Sequence, residues 1–296
     1  MSAMNSSIVN PAFYAIITNN LPISRKSFLS AESYVNIFVV NRMTVTQSML
    51  LAALRSLGVS SGDAVVAHGS LKSFGHVEGG AAAVAGAIMA AVGSQGLATM
   101  PVYASSEDEY GDLLREPAAE AKIYTGLIPA TFAGLPGVRK VCHPLYAYAY
   151  YGRDAEELAR ECERLLLPYG ADQPLHCLFA RRGKILQLGV DDVTNTSIHV
   201  AEELADPDYL AEKKSVSHVT VEDFFSLPVD KRREIMQKHR TGPRRDFRRC
   251  APLIEAAGLR RSAMVGSARV AVTDFTGMCE LLIAELTHNP EFMLSR

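Results

Sequence analysis

The stretch GKILQLGVDDVTNTSIHVAEELA, residues 183–205, decides the fold. GKILQLGV is a short apolar run closed by glycine and reads as a buried strand. Asn195, Thr196 and Ser197 are all good helix N-caps, and TSIHVAEELA continues at helical spacing. A strand running through a short turn into a helix is the unit of a layered α/β fold. The same stretch carries chemistry. His199 would stand in the first helical turn, near the N–H groups that a helix start leaves free. Glu202 follows three residues later and shares its face. A carboxylate beside an imidazole fixes the tautomer and strengthens the ring as a general base, and the helix start offers donors to a developing oxyanion. The plain alternative is an exposed His/Glu pair worth about 0.2–0.5 kcal/mol.

The flanking sequence repeats the alternation. Met49, Leu50, Ala53, Leu54 and Leu57 fall at helical period before Gly58, and DAVVAHGS from Asp63 reads as a buried strand. The Ala-rich segment from Gly79 to Gly93 reads as a helix entered through glycines, and GLATMPV as the next strand. A short helix at TGLIPATFAGLPG, a strand at LYAYAYYG and an amphipathic helix at DAEELARECERLLL follow. Toward the end, SAMVGSARVAVTD reads as one strand and FTGMCELLIAELTH as a closing helix. The fold class is α/β, with a mixed, partly parallel sheet flanked by helices. Residues 1–42 lack this regularity and read as an N-terminal extension. It is disordered or untranslated, with the start at Met43, or it is an added hairpin or dimerisation arm; the first reading is preferred. Residues 43–296 then form a single domain.

Composition narrows the function. In 296 residues, 48% are hydrophobic and 21% charged, which excludes wholesale disorder. Thirty Lys+Arg against 32 Asp+Glu give a net charge of -2, so no basic field points to nucleic acid. No apolar run approaches the about 18 residues that suggest a membrane span. The five cysteines are irregularly spaced without CxxC, so free thiols in a reduced, cytoplasmic setting are expected. The run VDKRREIMQKHRTGPRRDFRRC is densely basic and reads as a solvated helical face, with phosphate contact as the alternative.

Two further segments join the His199 stretch. VVAHGSLKSFGHVEGG is strand, Gly/Ser turn, and Gly79-Gly80 opening a helix; close backbone approach there suits a phosphate or an extended thioester arm, though it is neither a Walker A loop nor GxGxxG. GLPGVRKVCHPLYAYAYYG clusters Arg139, Lys140 and His143 before a strand, either loop charges or an anion site. In this order the segments resemble the aminoglycoside 3-N-acetyltransferase (antibiotic N-acetyltransferase) family. The likeness runs through HGSLKSFGHVEGG, Met100-Pro101, Arg139 to Pro144, GVDDVTNTSIHVAE and Val265 to Arg269, and covers roughly residues 43–294. Three departures stand out: Gly69 for a serine, Val193 for an aspartate, and Gln173-Pro174-Leu175 for Ser-Pro-Leu.

The resemblance implies the antibiotic N-acetyltransferase fold rather than the commoner acetyltransferase superfold. It implies acetyl-CoA as donor, no metal, and the 3-amino group of an aminoglycoside as acceptor. His199 and Glu202 become the catalytic pair. His68, Ser70, Leu71, Ser73, Gly79 and Gly80 line the pantetheine and thioester, and Arg139 and His143 lie toward CoA. Thr196 or the turn near Ser70 supplies oxyanion donors, and Asp192 and Asp108 face the substrate. A direct transfer in a ternary complex is expected, with no acyl-enzyme on Cys142. Neither nucleic acid nor membrane is an expected partner, and a homodimer stays open. The alternatives are transfer to another amine or hydroxyl, a non-catalytic CoA-binding protein, and a metal hydrolase using Asp191, Asp192 and His199.

Overall fold

The computed structural model describes residues 44–103, 123–141, 143 and 145–295. The N-terminal 42 residues, Asp108 with the acidic loop around it, and Cys142 lie outside the described residues. The chain opens with helix α1 (Gln47–Ser56), whose N-cap Thr46 accepts from the Met49 N–H at 3.3 Å. Strand β1 (Ala64–Gly69) follows, then a 3-10 turn (Leu71–Phe74), α2 (Gly80–Val92) and β2 (Leu97–Pro101). After α3 (Leu127–Ala133) come β3 (Val138–Lys140), β4 (Tyr148–Gly152), α4 (Ala155–Arg164), α5 (His176–Ala180) and β5 (Lys184–Leu188). Next are α6 (Ile198–Ala205), α7 (Ala211–Ser215), α8 (Val221–Ser226), α9 (Val229–Arg240) and α10 (Cys250–Ala256). The hairpin β6 (Arg260–Val265) and β7 (Ala268–Asp274) leads into α11 (Phe275–His288).

The seven strands form one sheet in the order β3-β4-β2-β1-β5-β7-β6. β1 pairs in parallel with β2 and β5, and every other pairing is antiparallel. The mixed, partly parallel α/β sheet expected from sequence is what forms. The central strands are apolar on both faces because both are covered. Val65 and Ala67 of β1 pack in a core with α1, α2 and α3, while Ala64 and Val66 pack in a second core with α4, α6 and α11. A smaller cluster of Leu166, Leu167, Val216, Phe224 and Met236 lies beneath α8 and α9.

Two elements differ from expectation. SAMVGSARVAVTD is a hairpin rather than one strand, because Gly266 adopts φ +58° and Val265 pairs across the turn with Ala268. Arg139 and Lys140 lie on the short strand β3, not in a loop.

Ligands in sheets of this kind sit at the carboxyl ends of the parallel strands. Here those ends are held together by close backbone packing. The Ser70 N–H donates to Leu188 O at 3.0 Å, and Ser73 Oγ donates to Gly189 O at 2.7 Å. Gly189 has φ +71°, and a Cβ there would lie 2.4 Å from Ser73 Cβ. Gly69 is also confined: a Cβ would meet Leu188 Cβ at 3.1 Å and Ile128 Cδ1 at 3.2 Å. Gly189→Ala is expected to destabilise the fold by about 1–3 kcal/mol through left-handed strain and overpacking, read as a lowered urea midpoint with an unchanged m-value.

Candidate active site

The turn after β5 brings the predicted pair together. Asp191 caps a 3-10 turn (Asp192–Thr194) by accepting from the Val193 N–H at 3.1 Å, and Asn195 Oδ1 accepts from the Ser197 N–H at 3.2 Å. α6 then starts with His199 in its first turn. His199 Nδ1 lies 3.0 Å from Glu202 Oε2. The imidazole is 38% exposed, whereas the carboxylate is 0% exposed. Glu202 Oε1 accepts from the Tyr209 hydroxyl at 2.8 Å and from Arg245 Nε at 2.9 Å. The edge of Phe247 packs on the His199 ring at a centroid distance of 4.8 Å. Burial alone would raise the Glu202 carboxyl, but its hydrogen bond to His199 and the charges of His199 and Arg245 outweigh burial and hold it at about 2. An ionised carboxylate can only accept, so Nδ1 carries a proton, and in the neutral ring Nε2 is the nitrogen that keeps its lone pair.

The helix start does not supply the donors expected of it. The N–H groups of Thr196, Ile198, His199 and Val200 are taken by Thr194, Asn195, Thr196 and Ser197 carbonyls at 3.1–3.2 Å. What remains at Thr196 is its hydroxyl, buried without a hydrogen-bond partner and beside Tyr103 and Tyr148, whose own hydroxyls lie 2.8 Å apart. Three more buried atoms near the ends of β1 and β5 are unpartnered: His68 Nε2, Gln187 Oε1 and Ser197 Oγ. His68 and Gln187 are register neighbours on adjacent strands. Burial pushes His68 down to about 4 against the pull of Asp192, so it stands neutral.

Several predicted site residues are occupied by the fold. Asp192 is buried in a two-pronged ion pair with Arg260, at 2.7 and 2.9 Å, and also accepts from Gln187 Nε2 at 3.1 Å. It braces the turn before α6, and it also lines the cleft at this end of the sheet. His143 is also buried: Nδ1 accepts from the Leu145 and Tyr146 N–H groups at 3.0 and 2.7 Å, and Nε2 lies 2.9 Å from Leu165 O. Burial pushes it down to about 4, so it offers an anion neither charge nor a free nitrogen. Arg139, on the edge strand, pairs with Glu156 at 3.2 Å and Glu163 at 3.3 Å of α4. Asp191 pairs with Arg248 at 3.1 Å, so neither aspartate joins His199 as a ligand set. Ser70, Leu71 and Ser73 form the turn after β1, and Gly79 and Gly80 open α2 with φ +75° and +58°. Ser73 lines a cleft of about 870 Å³, together with the ion pairs Asp191–Arg248 and Asp192–Arg260 and with Arg269.

Tyr209, Arg245 and Phe247 were not found from sequence. Arg245 belongs to the basic run, in which two other arginines are also engaged with backbone: Arg232 bonds to Leu227 O at 2.8 Å and Arg249 to Leu294 O at 2.7 Å. The one usable signal was composition, since an arginine beside Asp246 and Phe247 breaks the pattern of a solvated face.

With this geometry in place, comparison with known proteins is decisive. A family model described as aminoglycoside 3-N-acetyltransferase matches residues 66–287. The chain belongs to the aminoglycoside 3-N-acetyltransferase family. Aminoglycoside N(3)-acetyltransferase IX of Micromonospora chalcea is 33% identical over 178 residues, 55% of this chain and 63% of that protein. The chain thus spans less than two thirds of the length of the curated relatives it matches. The structure of aminoglycoside acetyltransferase AAC(3)-IVa as apoenzyme superposes with a TM-score of 0.66 at 22% identity, over 86% of this chain and 92% of that one. The same enzyme, as a histidine-to-alanine mutant in complex with a gentamicin, gives a TM-score of 0.64 at 22% identity over the same shares. AAC-IIIb, solved with CoASH, gives 0.62 at 20% identity over 83% and 97%. These structures share the fold expected of the family, not the commoner acetyltransferase superfold.

Two measurements test the site. Because the Glu202 carboxyl is held below its ordinary value of 4.5 at about 2, its contribution to stability is full above pH 4.5 and is lost as pH falls toward 2. Glu202→Gln should therefore lower the denaturation midpoint at pH 7 and flatten its decline across that window. Arg260→Ala leaves a buried aspartate unpaired and is expected to cost about 3–5 kcal/mol in urea unfolding at pH 7.

Proposed function

We propose that the chain is an acetyltransferase that moves the acetyl group of acetyl-CoA directly to the 3-amino group of an aminoglycoside, with His199 as general base. The observation that supports this most is the His199–Glu202 pair, with the acid fully buried and ionised and the ring partly open to solvent. Family membership supports the reaction class, CoASH bound to AAC-IIIb supports the donor, and gentamicin bound to AAC(3)-IVa supports the acceptor.

The residues present suit such a donor. Unpartnered polar atoms are rare in protein interiors, yet four of them gather around the ends of β1 and β5 and the start of α6. The cleft beside them is lined by Asp191 and Asp192 as well as by Arg248, Arg260 and Arg269, each guanidinium paired with a carboxylate, and the Ser70–Ser73 turn meets it through Ser73. Acetyl-CoA supplies an activated acyl group. The protein supplies position and a proton acceptor: His199 Nε2 takes the proton that the amine must lose to attack, and the Glu202 carboxylate steadies the resulting imidazolium. Oxyanion donors fall to the turn after β1 and to the Thr196 hydroxyl, since the N–H groups at the start of α6 are consumed. Asp108 is kept as an acceptor-binding carboxylate on charge alone, and dependence on acetyl-CoA fits an enzyme of the cytoplasm.

The test is thiol release from acetyl-CoA in the presence of an aminoglycoside panel. Release is expected with at least one member. His199→Ala should lower kcat by about 10²–10⁴-fold while the KM for acetyl-CoA stays within two-fold. CoA binding without release from any aminoglycoside would overturn the acceptor assignment, and an unchanged rate in His199→Ala would overturn the base.

A further inference from the structure

Glu202 reaches His199 with one oxygen only; the other is held by groups from outside α6. Tyr209 arrives seven residues later, just past the helix, but Arg245 arrives from 43 residues away, together with Phe247, which packs on the ring. No regular element carries Arg245. It lies in the irregular connection between α9 and α10. What fixes that connection is the C-terminal tail. Arg245 forms an isolated antiparallel bridge with Leu294. The Asp246 N–H donates to Met293 O at 2.8 Å, and the Ser295 N–H donates to Arg244 O at 2.8 Å. Arg249 Nη1 donates to Leu294 O at 2.7 Å, and the Arg249 Cζ lies 5.5 Å from the centroid of the Phe292 ring. Met293 is fully buried and pins the tail to the α11 side of the core.

We propose that Arg245 is a positioning residue for the His199–Glu202 pair and that the tail segment 292–295 is the clamp that delivers it. The inference rests on the general-base reading for its effect on rate, though not for its effect on geometry. Arg245 Nε and the Tyr209 hydroxyl saturate Oε1, so the carboxylate cannot rotate away from Nδ1. The Arg245 charge also makes a buried acid tolerable where one imidazole alone would have to compensate it. The tail's backbone bonds fix the two residues on either side of Arg245, so the direction of its side chain is set by strand-like pairing rather than by loop packing.

The test uses full-length protein in three forms: Arg245→Met; the tail variant R249M/S295P, which removes the guanidinium from Leu294 O and the N–H from Arg244 O; and the three substitutions together. Two readouts are taken. One is the His199 Nδ1–H signal in protein labelled with 15N-histidine, assigned by its loss in His199→Ala. The other is thiol release from acetyl-CoA with gentamicin. The Nδ1–H signal is expected to move upfield or vanish in all three forms, and kcat to fall about 10–100-fold with the KM for acetyl-CoA within two-fold. The combined form should be no worse than Arg245→Met, because the tail acts through that side chain. Arg245→Lys, which keeps the charge and is less disruptive to folding, should restore part of the signal. An Nδ1–H signal unchanged in Arg245→Met overturns the positioning role, and strictly additive losses in the combined form overturn the clamp. If the signal behaves as expected while His199→Ala keeps its full rate, the general-base reading fails and the clamp stands.

Discussion

One carboxylate with no exposure to solvent organises this molecule's chemistry. Burying an ionised Glu202 is unfavourable unless every lone pair facing the interior is met by a donor. Three donors meet it: an imidazole one helical turn earlier, a tyrosine just past the helix, and an arginine from 43 residues further along the chain. None is free to move without leaving the charge uncompensated. That requirement turns a mobile side-chain pair into a fixed one, and it ties the start of α6 to the connection before α10.

The adjacent glutamate shows the same logic used for structure. Glu203 is buried on the other side of α6, where it accepts from the Gly170 N–H at 2.9 Å and Gln173 Nε2 at 2.7 Å and pairs with Lys213. Asp192 does so for the turn before α6, through Arg260 on the edge strand β6. These three acids, close together in the chain, thus anchor α6 to three separate parts of the fold. Only one of them has an imidazole on a partly open face, and that asymmetry sets Glu202 apart from the other two. A neutral, buried His239 stands nearby, held down at about 3 chiefly by burial, with the cations Lys213, Arg240 and Arg245 adding to it.

Most of the fold was legible in the sequence. Apolar runs of period two or helical period, broken by Gly58, Gly93 and Gly189, place the central elements correctly, because burial on both faces of a sheet leaves a mark on every residue. The β6/β7 hairpin was not legible as two strands, since its turn at Gly266-Ser267 is too short to interrupt an apolar pattern. The site was legible where it is local. His199 and Glu202 lie one helical turn apart, so spacing alone predicts that they meet. For His143 and Asp192 the sequence shows a polar residue but neither its burial nor its partners. The His143 ring is spent on backbone groups of residues 145, 146 and 165, and the Asp192 carboxylate on an arginine 68 residues away.

By itself the sequence determined the layered α/β architecture, the strand–turn–helix unit and the His/Glu pair within it, all consequences of periodicity over a few residues. Tertiary structure alone decided which charges are compensated. Arg245, Tyr209 and Arg260 act by reaching carboxylates across the fold, and the meaning of a basic run changes once Arg232, Arg245, Arg248 and Arg249 have partners. The physical reason is range: backbone propensity and side-chain spacing act within a turn or two, whereas the cost of a buried charge is met by whatever residue the folded chain brings within about 3 Å.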